Sequence, residues 1–162
     1  MWYGLLVIPP LAVMVISDFR SRRVGVFPLV VTCAMIAASS IAGYGIGGAL
    51  LNMVRNGVLC IFLWFCIRLW LLVRGIKPSD AAGGGDIIFI LALTPLFGMK
   101  EFLTFMTVSS VLTLTAWAVS RAIIKRGNDS IPLISGLGIC LALHLTAQAA
   151  GLYRIFNIYG IF

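Results

Sequence analysis

Asp86 stands at the end of Gly83-Gly84-Gly85-Asp86 and heads the apolar run Ile87 to Leu93, while Asp18 closes the first apolar run of the chain. A carboxylate kept at the edge of a membrane helix is costly and is a functional candidate by default. Two carboxylates facing one wet cavity can perform aspartic-protease chemistry. One ionised Asp takes a proton from a water that attacks a peptide carbonyl; its protonated partner polarises that carbonyl and later helps protonate the leaving amine. The glycine triplet allows backbone conformations closed to other residues and lets another backbone come close.

The elements that must position these carboxylates follow from composition. Hydrophobic residues make up 61% of the 162 and charged residues 10%, a balance that excludes a water-soluble domain of this length. The chain therefore reads as all-α and polytopic, a single integral-membrane domain over residues 1–162 with about six transmembrane helices. Candidate spans are Trp2 to Ser17, Val26 to Tyr44, Leu50 to Val73, Ile87 to Phe97, Phe102 to Ile124 and Ile131 to Leu152. The net charge of +7 is spread singly or in short clusters between apolar runs. Charges of that kind set membrane topology, so the bilayer rather than a nucleic acid is the expected partner.

Arg20, Arg22 and Arg23 fall in the first break, Arg74 and Lys77 in the third, and Arg121, Lys125 and Arg126 at the fifth; the second and fourth breaks hold only Lys100. The odd-numbered breaks are predicted to be cytoplasmic, with both termini outside. No cleaved signal peptide is expected. Asp18 and Asp86 then meet at the cytoplasmic face. The helical path from Asp86 to Lys100 covers only about 21 Å of a hydrocarbon core roughly 30 Å thick. If Lys100 marks the outer surface, Asp86 lies below the inner one and the glycine loop runs at membrane depth. Irregular backbone is tolerated there only when buried in protein or beside a water-filled cavity.

A structural reading of the same residues stands beside this one: Asp18 as an interfacial residue paired with Arg20 or Arg22, and Asp86 as a helix N-cap. Of the remaining acids, Glu101 is expected to pair with Lys100, Asp129 to sit in a turn leading into Ile131-Pro132, and Asp80 to be a solvated loop acid. Cys33, Cys60, Cys66 and Cys140 lie within spans and lack metal-ligand spacing, so neither a metal site nor a disulfide framework is predicted. His144 reads as a helix-packing donor. Gly43 and Gly47 have GxxxG spacing near an outer turn, where flexibility is the favoured use. Arg68 is expected to snorkel. Trp2, Tyr3, Trp70, Tyr153 and Tyr159 read as interfacial, and Trp64 and Trp117 as lipid-facing or core.

Three stretches together resemble the aspartic prepilin peptidases, which include the archaeal preflagellin peptidases. Ser17-Asp18-Phe19-Arg20-Ser21-Arg22-Arg23-Val24 is similar to the family's first motif, an Asp followed by a basic stretch and an aliphatic residue. Gly83-Gly84-Gly85-Asp86-Ile87 matches its G-x-G-D motif, and Ile131-Pro132 with Ser135-Gly136-Leu137-Gly138 resembles the start of its last helix. Gly25-Val26 follows Val24 where many members have Pro-Asn, and the cysteine-rich cytoplasmic domain of the larger bacterial members has no counterpart. The resemblance implies a GxGD-type membrane fold, with Asp18 and Asp86 as the catalytic pair and Gly83 and Gly85 in the catalytic-loop motif. It also implies cleavage of the short basic leader of type IV prepilin-like precursors at the cytoplasmic face of the inner membrane. No cofactor and no metal are expected, and no binding motif for methyl transfer is visible.

Two other classes use the same residues: a small proton-coupled carrier relaying protons through Asp18 and Asp86, and a catalytically silent membrane assembly partner in which both are structural.

Overall fold

The computed structural model describes residues 2–21, 25–75, 84–124 and 133–151, and all the regular structure among them is helical. A 3₁₀ segment, Trp2–Val7, leads into α1 (Ile8–Ser21); α2 (Val26–Val73), α3 (Gly84–Leu93), α4 (Met99–Ile124) and α5 (Leu133–Ala149) follow. The all-α reading holds.

Local chemistry accounts for the boundaries. Pro9 and Pro10 lie in the first turn of α1, and Pro28 in that of α2, where a missing N–H breaks no helical bond. Past the end of α2, Gly75 takes φ 70° and its N–H reaches the Leu72 carbonyl at 3.1 Å, the left-handed close that glycine favours. At the start of α4, Glu101 Oε2 accepts the Gly98 N–H at 3.2 Å. This is the reciprocal half of a capping box. The acid expected to pair with Lys100 is used instead to close its own helix.

The 48 residues of α2 would measure about 72 Å if straight, more than twice a hydrocarbon core. The helix bends at one residue, Gly45, with φ 71° and ψ 170°, a conformation essentially closed to side chains. The bend is required by two contacts. Ser40 Oγ donates to the Pro95 carbonyl at 2.5 Å, while Asn56 Nδ2 donates to the Thr94 and Phe97 carbonyls, each at 2.8 Å. In a straight helix Ser40 and Asn56 would stand about 24 Å apart; here both clamp the α3–α4 turn. The predicted spans Val26 to Tyr44 and Leu50 to Val73 are thus the two limbs of one bent helix. Gly43 and Gly47 have nothing within 4 Å of where a Cβ would sit, so among the described residues they form no packed GxxxG seam.

Each helix buries one stripe: Leu11 and Met14 on α1; Leu29, Thr32, Ile36 and Ser40 on α2; Phe89 and Leu93 on α3; Phe102, Phe105, Ser109 and Thr113 on α4; Ile134, Leu137, Leu141 and Leu145 on α5. The spacing of three and four is that of a helix face. α5 is central, packing on α1, α3 and α4. Its two glycines allow this: a Cβ on Gly136 would collide with Thr113 of α4, and one on Gly138 would lie 2.6 Å from Val15 Cγ2 of α1. Small residues at crossings let helices approach closely.

Several polar side chains lie inside the bundle and many large apolar ones outside it. Thr32, Asn56, Ser109, Thr113 and Ser135 are buried, whereas Ile61, Phe65, Leu72 and Val73 are exposed. Several buried hydroxyls are satisfied within their own helix, Thr32 by Pro28 and Thr113 by Ser109, each at 2.7 Å, a device that spares polar groups the cost of an apolar interior. Among the described residues two helices, Val26–Val73 and Met99–Ala122 within α4, are long and apolar enough to cross a membrane.

Candidate functional site

Asp18 lies in the last turn of α1, the negative end of that helix's dipole and by itself a poor place for a carboxylate. The N-terminus of α5 compensates. Ser135, fully buried at the third position of α5, gives Asp18 Oδ2 two hydrogen bonds, from Oγ at 2.5 Å and from its own main-chain N–H at 3.2 Å. That N–H is among the helix-start donors lacking a partner in their own helix, so the last turn of α1 and the first turn of α5 complete each other. Asp18 is half-buried. The expected pairing with Arg20 or Arg22 involves side chains outside the described residues.

Asp86 is the third residue of α3 and is also half-buried. It lies inside the first turn and so is not the cap residue; the positive end of the α3 dipole favours a carboxylate there. Its neighbour Gly85 faces α5, for a Cβ built on Gly85 would lie 3.5 Å from Ile134 Cδ1. Gly83 lies outside the described residues.

The Ile134-Ser135 step of α5 therefore touches both aspartate-bearing helices, Ser135 through Asp18 and Ile134 through Gly85. Among the described residues α1 and α3 do not pack on one another, and the Asp18 and Asp86 α-carbons lie more than 8 Å apart. The first turn of α5 stands between the helices as a shared wall. The next residue, Gly136, meets Thr113 of α4. From Thr113 to Arg121 the helix continues about 12 Å, so α4 extends well past the level at which Asp18 is held.

At the far end of α5, His144 makes edge contacts with Phe97 and Phe105, at ring separations of 5.0 and 6.0 Å. A cavity of about 20 Å³ is lined there by Tyr44, Glu101, His144 and Gln148. It admits about one water and is remote from the aspartates. The four cysteines are free thiols, and no metal-binding group of His, Cys, Asp and Glu occurs among the described residues.

Sequence reasoning missed Ser135 as the partner of Asp18, and Ser40 and Asn56 as clamps of the α3–α4 turn. A signal existed for Asn56, because an amide inside an apolar span must find partners. For Ser135 the signal was its place three residues into a helix. Asp80, Asp129, Lys77, Lys125, Arg126, Ile131, Pro132, Tyr153 and Tyr159 lie outside the described residues, as do the side chains of Trp2 and Tyr3. Compared with known proteins, the chain matches no family model, no curated protein and no solved structure.

Proposed function

We propose that this chain is a membrane-embedded aspartic endopeptidase that removes the short basic leader from type IV prepilin-like precursors. In this reading the two limbs of α2, together with α1, α3, α4 and α5, make six crossings of the cytoplasmic membrane. The carboxylates open toward the cytoplasm, in the orientation that the loop arginines favour. Asp18 and Asp86 share one proton and one water. The ionised member takes a proton from the water as its oxygen attacks the scissile carbonyl; the protonated member donates to that carbonyl and then to the departing amine. Ser135 holds Asp18 in place, and Gly85 lets the start of α3 lie close to α5.

The observation that carries this reading is the contact of a single α5 step with both aspartate-bearing helices. The resemblance of the flanking motifs to the aspartic prepilin peptidases supports it. The bond from Ser135 to Asp18 also favours a second reading, in which Asp18 is only a cap for α5 and the chain is a silent assembly partner.

One experiment separates them. The full chain is co-expressed with a prepilin-like precursor from the same genome, as wild type, Asp18→Asn and Asp86→Asn, and leader removal is read by intact mass at matched membrane levels. Cleavage by wild type and by neither variant is the expected result. Cleavage that persists in either folded variant sinks the paired-aspartate mechanism.

A further inference from the structure

Three arginines are each stacked on a tryptophan one helical turn earlier. The Arg68 guanidinium lies 4.9 Å from the Trp64 ring centroid, Arg74 lies 5.2 Å from Trp70, and Arg121 lies 5.3 Å from Trp117. Spacing of four places each pair on one helix face, and the distances are those of a cation–π contact. Trp64 and Trp117, which the sequence alone left as lipid-facing or core, thus have a defined partner. Arg68, which was expected to extend toward the interface, folds back on an indole.

All three arginines are exposed and lie toward the C-terminal ends of α2 and α4, where a helix dipole favours a cation. Among the described residues these two helices are long and apolar enough to cross a membrane. Stacking occupies the flat face of a guanidinium but not its N–H edge, which is the edge that grips a phosphate with two parallel bonds. The indole restricts the long side chain beforehand and so lowers the entropy cost of binding.

We propose that the Trp64–Arg68 and Trp70–Arg74 stacks are docking sites for the phosphate of anionic phospholipids, at the membrane face where α2 ends. The surroundings select a lipid over a soluble polyanion. Ile67, Leu69, Leu72 and Val73 surround Arg68 and Arg74 with 55–82% of their surface exposed, an apolar collar suited to acyl chains. The excess of twelve basic over five acidic residues matches an anionic leaflet. The proposal rests on membrane residence and is independent of the peptidase reading.

The test uses the full chain in nanodiscs of equal phosphatidylglycerol and phosphatidylcholine, with retained lipid counted by native mass spectrometry after detergent release. Wild type should retain phosphatidylglycerol over phosphatidylcholine by about fivefold or more, the preference expected for one basic residue at an anionic surface. The double variant Arg68→Lys, Arg74→Lys keeps the net charge but loses the planar fork and should fall toward the bulk ratio. Trp64→Leu with Trp70→Leu should do the same. Wild-type retention in the lysine variant overturns the proposal in favour of diffuse charge, and equal retention of the two lipids by wild type overturns it outright. A second measurement needs no variant: Tm should rise with the phosphatidylglycerol fraction, and a Tm indifferent to it refutes specific binding.

Discussion

Ser135 and Asp18, 117 residues apart in sequence, are joined by two hydrogen bonds to a single carboxylate oxygen. The pairing makes the last turn of α1 depend on the first turn of α5. Ser135→Ala removes the hydroxyl bond and keeps the main-chain one, so a loss of about 1.5–3 kcal/mol is expected, the range for a hydrogen bond to a charged group. Thermal unfolding in detergent measures it. If the two residues act as a unit, Asp18→Asn and Ser135→Ala combined will cost less than the sum of the singles, and strict additivity refutes the coupling.

The glycines around the site should divide sharply. Gly136→Ala drives a methyl into Thr113, and Gly138→Ala drives one against Val15. Each is expected to cost about 1–3 kcal/mol as overpacking. A Cβ on Gly84, by contrast, meets nothing within 4 Å, and alanine is the better helix former. Gly84→Ala should leave Tm unchanged or raise it, even though the residue lies inside the glycine triplet.

Asn56 is fully buried and donates twice to the α3–α4 turn. Asn56→Ala leaves two carbonyls without their amide and should cost about 1–3 kcal/mol. Asn56→Asp is the sharper variant. It retains size but faces both carbonyls with acceptor oxygens, so it should be less stable than the alanine variant by denaturant titration; the opposite order rules out the donor role.

Gly45 alone carries the bend of α2. Gly45→Ala forces a side chain into a conformation that costs about 1–3 kcal/mol, whereas Gly43→Ala and Gly47→Ala occupy open space and should be near neutral. Equal effects at the three positions, read by thermal unfolding, would show that the bend does not depend on the Gly45 backbone.

Much of the helical layout is legible in the sequence, because apolar runs and the charges that interrupt them are local properties. The run Ile87 to Phe97, however, reads as one span, while the chain leaves the helix after Leu93. Pro95 lies two residues on, and Ser40 and Asn56 occupy the freed carbonyls of the turn, so tertiary partners stabilise a break that the apolar pattern conceals. Similarly, the spacing of four in Trp64–Arg68 is visible in the sequence, but whether the arginine extends or folds back is settled by side-chain conformation.

The sequence by itself determined an all-helical chain matched to an apolar solvent, with two aspartates at helix edges, because hydrophobicity, periodicity and charge position are carried by each stretch independently. Only the tertiary structure decided that α5 stands between α1 and α3, that Ser135 holds Asp18 while Ile134 faces Gly85, and that one bend at Gly45 brings Ser40 and Asn56 to a common turn. Each of these joins residues from distant parts of the chain whose meeting depends on how closely helices can pack, and that is governed by missing side chains at Gly136 and Gly138 and by polar groups that must find partners away from water.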